Sequence, residues 1–110
     1  MTEVKGTSVQ LTAALVIVPN LFSRSRDSEA LDRKREEAVG LAEAIELTIS
    51  ASEIVNISRL RPATLFGSGK TDEIAVIVKE NNVDVAIIDH ELTPVQQRNL
   101  ELAWHCKVLD

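Results

Sequence analysis

Nearly continuous apolar runs alternate along this chain with stretches in which apolar residues return every three or four positions. "LTAALVIVP", residues 11–19, is apolar but for its threonine and ends at a proline. Its length and β-branched content predict a buried strand rather than a helix. The polar and basic stretch "NLFSRSRD", residues 20–27, predicts a loop. From about Asp27 the period becomes helical. Leu31, Ala38, Leu41, Ala42 and Ile45 form an apolar stripe, with Arg33, Lys34, Glu36, Glu37 and Glu43 on the other faces. Asp27 or Ser28 can cap this helix by accepting from the free N–H groups at its start. Residues 48–58 then alternate, with Ile49, Ala51, Val55 and Ile57 on one parity, which predicts a half-exposed strand at a sheet edge.

Residues 59–69 contain Pro62, Gly67 and Gly69 and predict a loop. A second helix is expected over 71–82, capped by Thr71 or Ser68, with Ile74, Ile77 and Val78 inward and Asn81-Asn82 at its end. "VDVAIID", residues 83–89, predicts another buried strand. A third helix follows, with Thr93 as N-cap, Pro94 first and Gln96 third, the spacing of a capping box. "CKVLD", residues 106–110, predicts a fourth strand. The polar residues 1–10 predict a flexible N-terminus before a single domain over 11–110. Strand and helix alternate throughout, so the expected class is α/β: a four-stranded parallel sheet with three crossover helices packed on its faces. The expected strand order is 2-1-3-4.

Composition adds few constraints. Aromatic residues are 3% of the 110, so the core must be aliphatic. One cysteine, Cys106, excludes an internal disulfide and fits a reducing, cytoplasmic setting. No stretch approaches the roughly 18 apolar residues of a membrane span, and the start of the chain lacks the apolar core of a signal peptide. A net charge of −5 speaks against binding nucleic acid through the whole surface but leaves room for a local basic patch.

The candidate chemistry lies in the loops. "TLFGSGKTDE", residues 64–73, contains the Gly-Lys-Thr with which a phosphate-binding P-loop ends. The full motif needs glycine where Thr64 stands and a buried strand leading straight in, whereas Arg59, Arg61 and Pro62 precede it. A glycine turn entering a helix is the better reading. In an open parallel sheet, ligands bind beyond the carboxyl ends of the strands. Three loops are expected there. One carries Arg24 and Arg26, one Arg59, Arg61, Gly67, Gly69 and Lys70, and one Asp89, His90 and Glu91. The first two put basic groups beside helix N-termini and point to a phosphate-contacting surface, for RNA or for a nucleotide. Otherwise these side chains are merely solvated. Asp89, His90 and Glu91 are consecutive, diverge, and make no metal or acid–base site. The polar run Gln96, Gln97, Arg98 and Asn99 cannot all face water on a helix packed against a sheet, so a structural or interdomain role is expected. Leu100 and Trp104 should face the core, and Cys106 should be a buried small residue rather than a nucleophile.

Two segments, "PATLFGSGKTDEI" and "VDVAIIDHELTPVQQRNLELAWHCKVLD", resemble the N-terminal domain of the HflX family of ribosome-associated GTPases. The resemblance is carried by Pro62, Ala63, Thr64, Gly67, Gly69 and Lys70, then by Glu91, Leu92, Pro94, Gln96 through Glu101, and Lys107 to Asp110. It is strong over 62–110 and rests on element order over 11–60; His90 and Thr71 depart from the family pattern. The resemblance implies a parent that hydrolyses GTP, binds the large ribosomal subunit and acts on stalled or idle ribosomes. It makes this chain the recognition and regulatory arm. GTP and Mg²⁺ would belong to a C-terminal GTPase domain outside this sequence, which lacks a complete P-loop, D-x-x-G and N-K-x-D. The fragment itself is then expected to be a monomer without cofactor or hydrolytic activity. Its partners would be the large ribosomal subunit and its own GTPase domain. A separate ATP- or GTP-binding or hydrolysing domain using the Gly67–Lys70 loop is the alternative, and a plain packing domain is a third reading.

Overall fold

Seven elements follow one another in the computed structural model, which describes residues 12–110: β1 (Ala13–Leu21), α1 (Ser28–Ala44), β2 (Thr48–Ile57), α2 (Ser68–Glu80), β3 (Val85–Ile88), α3 (Pro94–Trp104) and β4 (Lys107–Leu109). The strands form one parallel sheet in the order β2-β1-β3-β4, as the alternation predicted. The flexible N-terminus expected over 1–10, and Leu11, lie outside the described residues.

β1 is apolar because it has a strand on either side and helices on both faces. Leu15 and Ile17 pack with Val55, Ile57, Ala86, Ile88 and Val108 beneath α2 and α3, whereas Val16 and Val18 face Ala42 of α1. The strand continues through Pro19 instead of stopping there. The Ile17 carbonyl accepts from Asp89 N–H, and the β3 pairing ends at Ile17 with Ile88. Pro19, two residues on, turns its nitrogen to the same side, past the end of β3, so its missing N–H breaks no ladder bond.

β2 is the expected edge strand, but its parity is not continuous. The register with β1 shifts between Ala14–Ile49 and Leu15–Ala51, leaving Ser50 as an extra residue. Ile49 therefore packs on the α1 side and Ala51, Val55 and Ile57 on the other. α1 is capped by Asp27, whose carboxylate accepts from Glu29 and Ala30 N–H. Its apolar stripe is only half used: Ala42 is buried, whereas Leu41 and Ile45, expected in the core, are 74% and 62% exposed.

α3 has the predicted capping box, with the Thr93 hydroxyl accepting from Gln96 N–H and the Gln96 side chain accepting from Thr93 N–H. Leu100 and Trp104 are buried. Two further side chains reach the outer edge of β4. Gln97 Nε2 donates to the Val108 carbonyl at 2.7 Å, and Val108 N–H donates to Glu101 Oε2 at 3.1 Å.

Candidate anion-binding site

After β2 the chain makes a tight turn before α2. Arg61 and Leu65 exchange backbone hydrogen bonds at 3.0 and 2.8 Å and enclose Pro62, Ala63 and Thr64. Leu65 closes the turn at φ 67°, a left-handed conformation that a leucine adopts at a cost. Such a residue persists only where its surroundings over-determine it. Here they do. Leu65 and Phe66 are each 1% exposed, and the Thr64 hydroxyl donates to the Phe66 carbonyl. The polar run of α3 holds the same turn from outside, Gln96 Nε2 donating to the Arg61 carbonyl at 2.9 Å and Asn99 Nδ2 to the Ala63 carbonyl at 3.0 Å. Of the polar run, Gln96 and Asn99 bond to this turn, Gln97 bonds to β4, and Arg98 is exposed.

This turn delivers the chain to the start of α2, which begins at Ser68 and not at Thr71. Gly67 is the N-cap, and no side chain caps the helix; Thr71 instead donates its hydroxyl back to the Gly67 carbonyl at 2.9 Å. The first N–H groups of α2 are thus left for solvent or a ligand. Arg61 lies over Gly67, where an added Cβ would meet its guanidinium at 3.6 Å. Asn56, Ser58, Arg59, Arg61, Gly67 and Lys70 line a concavity of about 100 Å³. Lys70 Nζ is 2.8 Å from Glu73 Oε1, but both side chains reach solvent, so the pair is weak and Lys70 remains available. Glycine is not needed here for its backbone freedom: Gly67 has φ −66°, and no described glycine has a positive φ. Open space surrounds Gly69, where a Cβ would meet nothing within 4 Å. Gly69→Ala should therefore raise stability by about 0.4–1 kcal/mol in urea denaturation. Any accompanying loss of anion binding would show that a ligand approaches the backbone there.

The Arg24 loop is elsewhere. At the carboxyl ends of β1 and β3, where the connections diverge to opposite sides, a wider hollow of about 580 Å³ is lined by Asn20, Arg24, Ser25, Lys34, Asp89 and His90 among others. Arg24 sits over the Phe22 ring at 5.1 Å. Asn20 divides the two hollows. It is 7% exposed, donates to Asn56 Oδ1 at 2.8 Å and to the Ser25 carbonyl at 3.0 Å, and accepts from Ser25 N–H at 3.3 Å. The expected basic surface is therefore two separate places, and exposed Arg26 lines neither hollow. Asp89, His90 and Glu91 do not converge; His90 Nδ1 meets the Glu91 carbonyl at 2.7 Å. Among the described residues, no group of three or more His, Cys, Asp or Glu could hold a metal ion. Burial pushes the Cys106 thiol above its ordinary range, with Glu101 and Asp84 adding to the rise, so it is a poor nucleophile.

Sequence reasoning missed Asn20 and Lys34, reading one as a loop residue and the other as a helix-face charge. An asparagine following the proline of a buried strand was the available signal. The clamp on the turn is directly testable. Gln96→Ala removes both its capping-box bond and its bond to the Arg61 carbonyl, and should cost about 1–3 kcal/mol in thermal denaturation.

Residues 32–110 match the family described as GTP-binding GTPase N-terminal. The chain is 40% identical over 82 residues to the GTPase HflX of Magnetococcus marinus, covering 74% of this chain and 19% of that protein. It is 35% identical over 97 residues to the GTPase HflX of Escherichia coli, covering 86% and 21%. With the GTPase HflX of Lacrimispora saccharolytica it shares 39% identity over 101 residues, covering 92% and 23%. The chain thus spans about a fifth of the length of these curated relatives.

Proposed function

This chain belongs to the GTP-binding GTPase N-terminal family, as an HflX N-terminal domain, and from that premise we propose that it is the recognition and regulatory arm of a GTP-hydrolysing protein. On this reading it docks on the large ribosomal subunit through RNA phosphates. Its full-length protein acts on stalled or idle ribosomes in the cytoplasm. GTP and Mg²⁺ are handled by the parent's GTPase domain, and the arm itself turns over no GTP.

One observation carries the reading. On a chain of net charge −5, Arg59, Arg61 and Lys70 are gathered around the uncapped N-terminus of α2. Backbone N–H groups at a helix start and guanidinium groups recognise the same thing, a phosphate oxygen. The hollow of about 100 Å³ fits one such group at the surface. It is far below the roughly 300–1,000 Å³ of pockets that enclose whole small molecules, which favours contact with a phosphate backbone over a separate nucleotide site at Gly67–Lys70. Among the described residues no helix is long and apolar enough to cross a membrane.

The test is co-sedimentation of the chain with purified large ribosomal subunits across a salt series. Binding that weakens steeply with salt supports the proposal. Absence of binding at low salt would move the ribosome contact to the rest of the parent protein.

A further inference from the structure

Of the three aromatic residues in the chain, Phe66 and Trp104 are buried, whereas Phe22 is 47% exposed. It stands in a strained turn just past β1. Phe22 and Ser23 have φ of 56° and 48°, and Arg24 N–H donates to the Leu21 carbonyl across them at 3.2 Å. Glycine, asparagine or aspartate is usual in a turn of this kind, and a bulky aromatic there is an outlier. The turn is fixed from its base and not by packing of the ring: the Asn20 side chain bonds to both the carbonyl and the N–H of Ser25. Strain held in this way collects at binding sites. The two ends of the turn, Leu21 and Arg24, line the hollow of about 580 Å³ described above. That hollow lies where the connections from β1 and β3 diverge, the place at which open parallel sheets take their ligands.

We infer that this hollow receives an unpaired base of single-stranded RNA, with Phe22 and Arg24 as the stacking platform. The inference rests on the reading that the domain docks on RNA phosphates. Aromatic rings and guanidinium planes are the surfaces on which splayed bases stack, and here the Arg24 guanidinium lies over the Phe22 ring at 5.1 Å. Pro19, Leu21 and Leu31 offer apolar surface to the flat of a base. Arg24 and Lys34 can only donate and the Asp89 carboxylate only accepts, which suits a base edge that carries both kinds of group. The hollow adjoins the anion site at the start of α2, because Asn20 on this side bonds to Asn56 on that one. A single strand can therefore lay a phosphate against Arg59, Arg61 and Lys70 and turn a base toward Phe22. A duplex can do only the first, since its bases are stacked inside the helix.

The experiment is fluorescence anisotropy of the full-length protein with a short labelled RNA of mixed sequence, free and annealed to its complement. The single strand should bind at least about tenfold more tightly than the duplex, the usual worth of one base stacked on an aromatic ring. Phe22→Ala should abolish that preference by weakening the single strand alone, with the melting temperature unchanged, and Phe22→Trp should keep it. Equal affinity for strand and duplex, or no binding of either, overturns the inference. So does a Phe22→Ala variant that weakens both equally or neither. Displacement of the single strand by excess adenosine monophosphate also overturns it and assigns the hollow to a free nucleotide. Co-sedimentation with ribosomal subunits reports the docking surface as a whole and can succeed where this preference is absent, so the two readings fail separately.

Discussion

Trp104→Ala should lower the stability of this domain by about 3–5 kcal/mol, the usual cost of deleting a large aromatic from a core. The ring is 2% exposed, its centroid lies 6.0 Å from that of Phe66, and its Nε1 donates to the Thr71 carbonyl at 3.0 Å. It thereby joins the end of α3 to the first turn of α2 and to Phe66, the residue that follows the 61–65 turn. Domains of this size have only about 5–15 kcal/mol in hand. At about 4–8 °C per kcal/mol, the expected loss in Tm is some tens of degrees, read by circular dichroism. Trp104→Phe keeps most of the packing and loses the hydrogen bond, so it should cost about 1–2 kcal/mol. Similar losses for both variants would mean that the ring contributes little and the hydrogen bond nearly everything, contrary to the packing described.

The largest effect on function is expected from the double reversal Arg59→Glu with Arg61→Glu. Each phosphate contact contributes about −0.7 to −0.9 to the slope of log K against log salt. Removal of two contacts should flatten that slope by about 1.4–1.8 and weaken binding to the large subunit more than about tenfold at low salt. Both residues are exposed, and the turn is held by the Arg61 backbone, not its side chain. Stability should therefore stay within about 0.5 kcal/mol. Unaltered affinity and slope would remove this loop from the interface, and Arg24 and Lys34 in the second hollow would be the next to reverse.

Local chemistry made much of the fold legible. Thr93, Pro94 and Gln96 announce the start of α3 through a hydrogen-bond pattern that spacing alone specifies. Alternating apolar runs give the strand order because few parallel topologies obey the right-handed crossover rule. What escaped depends on residues distant in the chain. Ser50 flips the parity of β2 through its pairing with β1, and nothing in "TISASEIVNIS" marks it as extra. Pro19 looked like a terminator because the shortness of β3 is a property of the sheet, not of β1. Leu41 and Ile45 were correctly read as apolar positions, but periodicity cannot say which part of a stripe meets the rest of this chain. The site was legible as a list of basic residues. Its division was not, because Asn20, which lines one hollow, and Asn56, which lines the other, meet through a side-chain hydrogen bond 36 positions apart.

The bonds from Gln97 and Glu101 to Val108 have a consequence for how the molecule can be joined to others. β4 is a border of the sheet, and an open border is a template on which another chain can lay a strand. Here the outward N–H and C=O of Val108 are already occupied by side chains of α3. A strand adding at this border would first have to strip two hydrogen bonds at about 1 kcal/mol or more each, and would then meet the side chains themselves. Recruitment by β-augmentation, and fibril growth by the same geometry, are therefore disfavoured along β4.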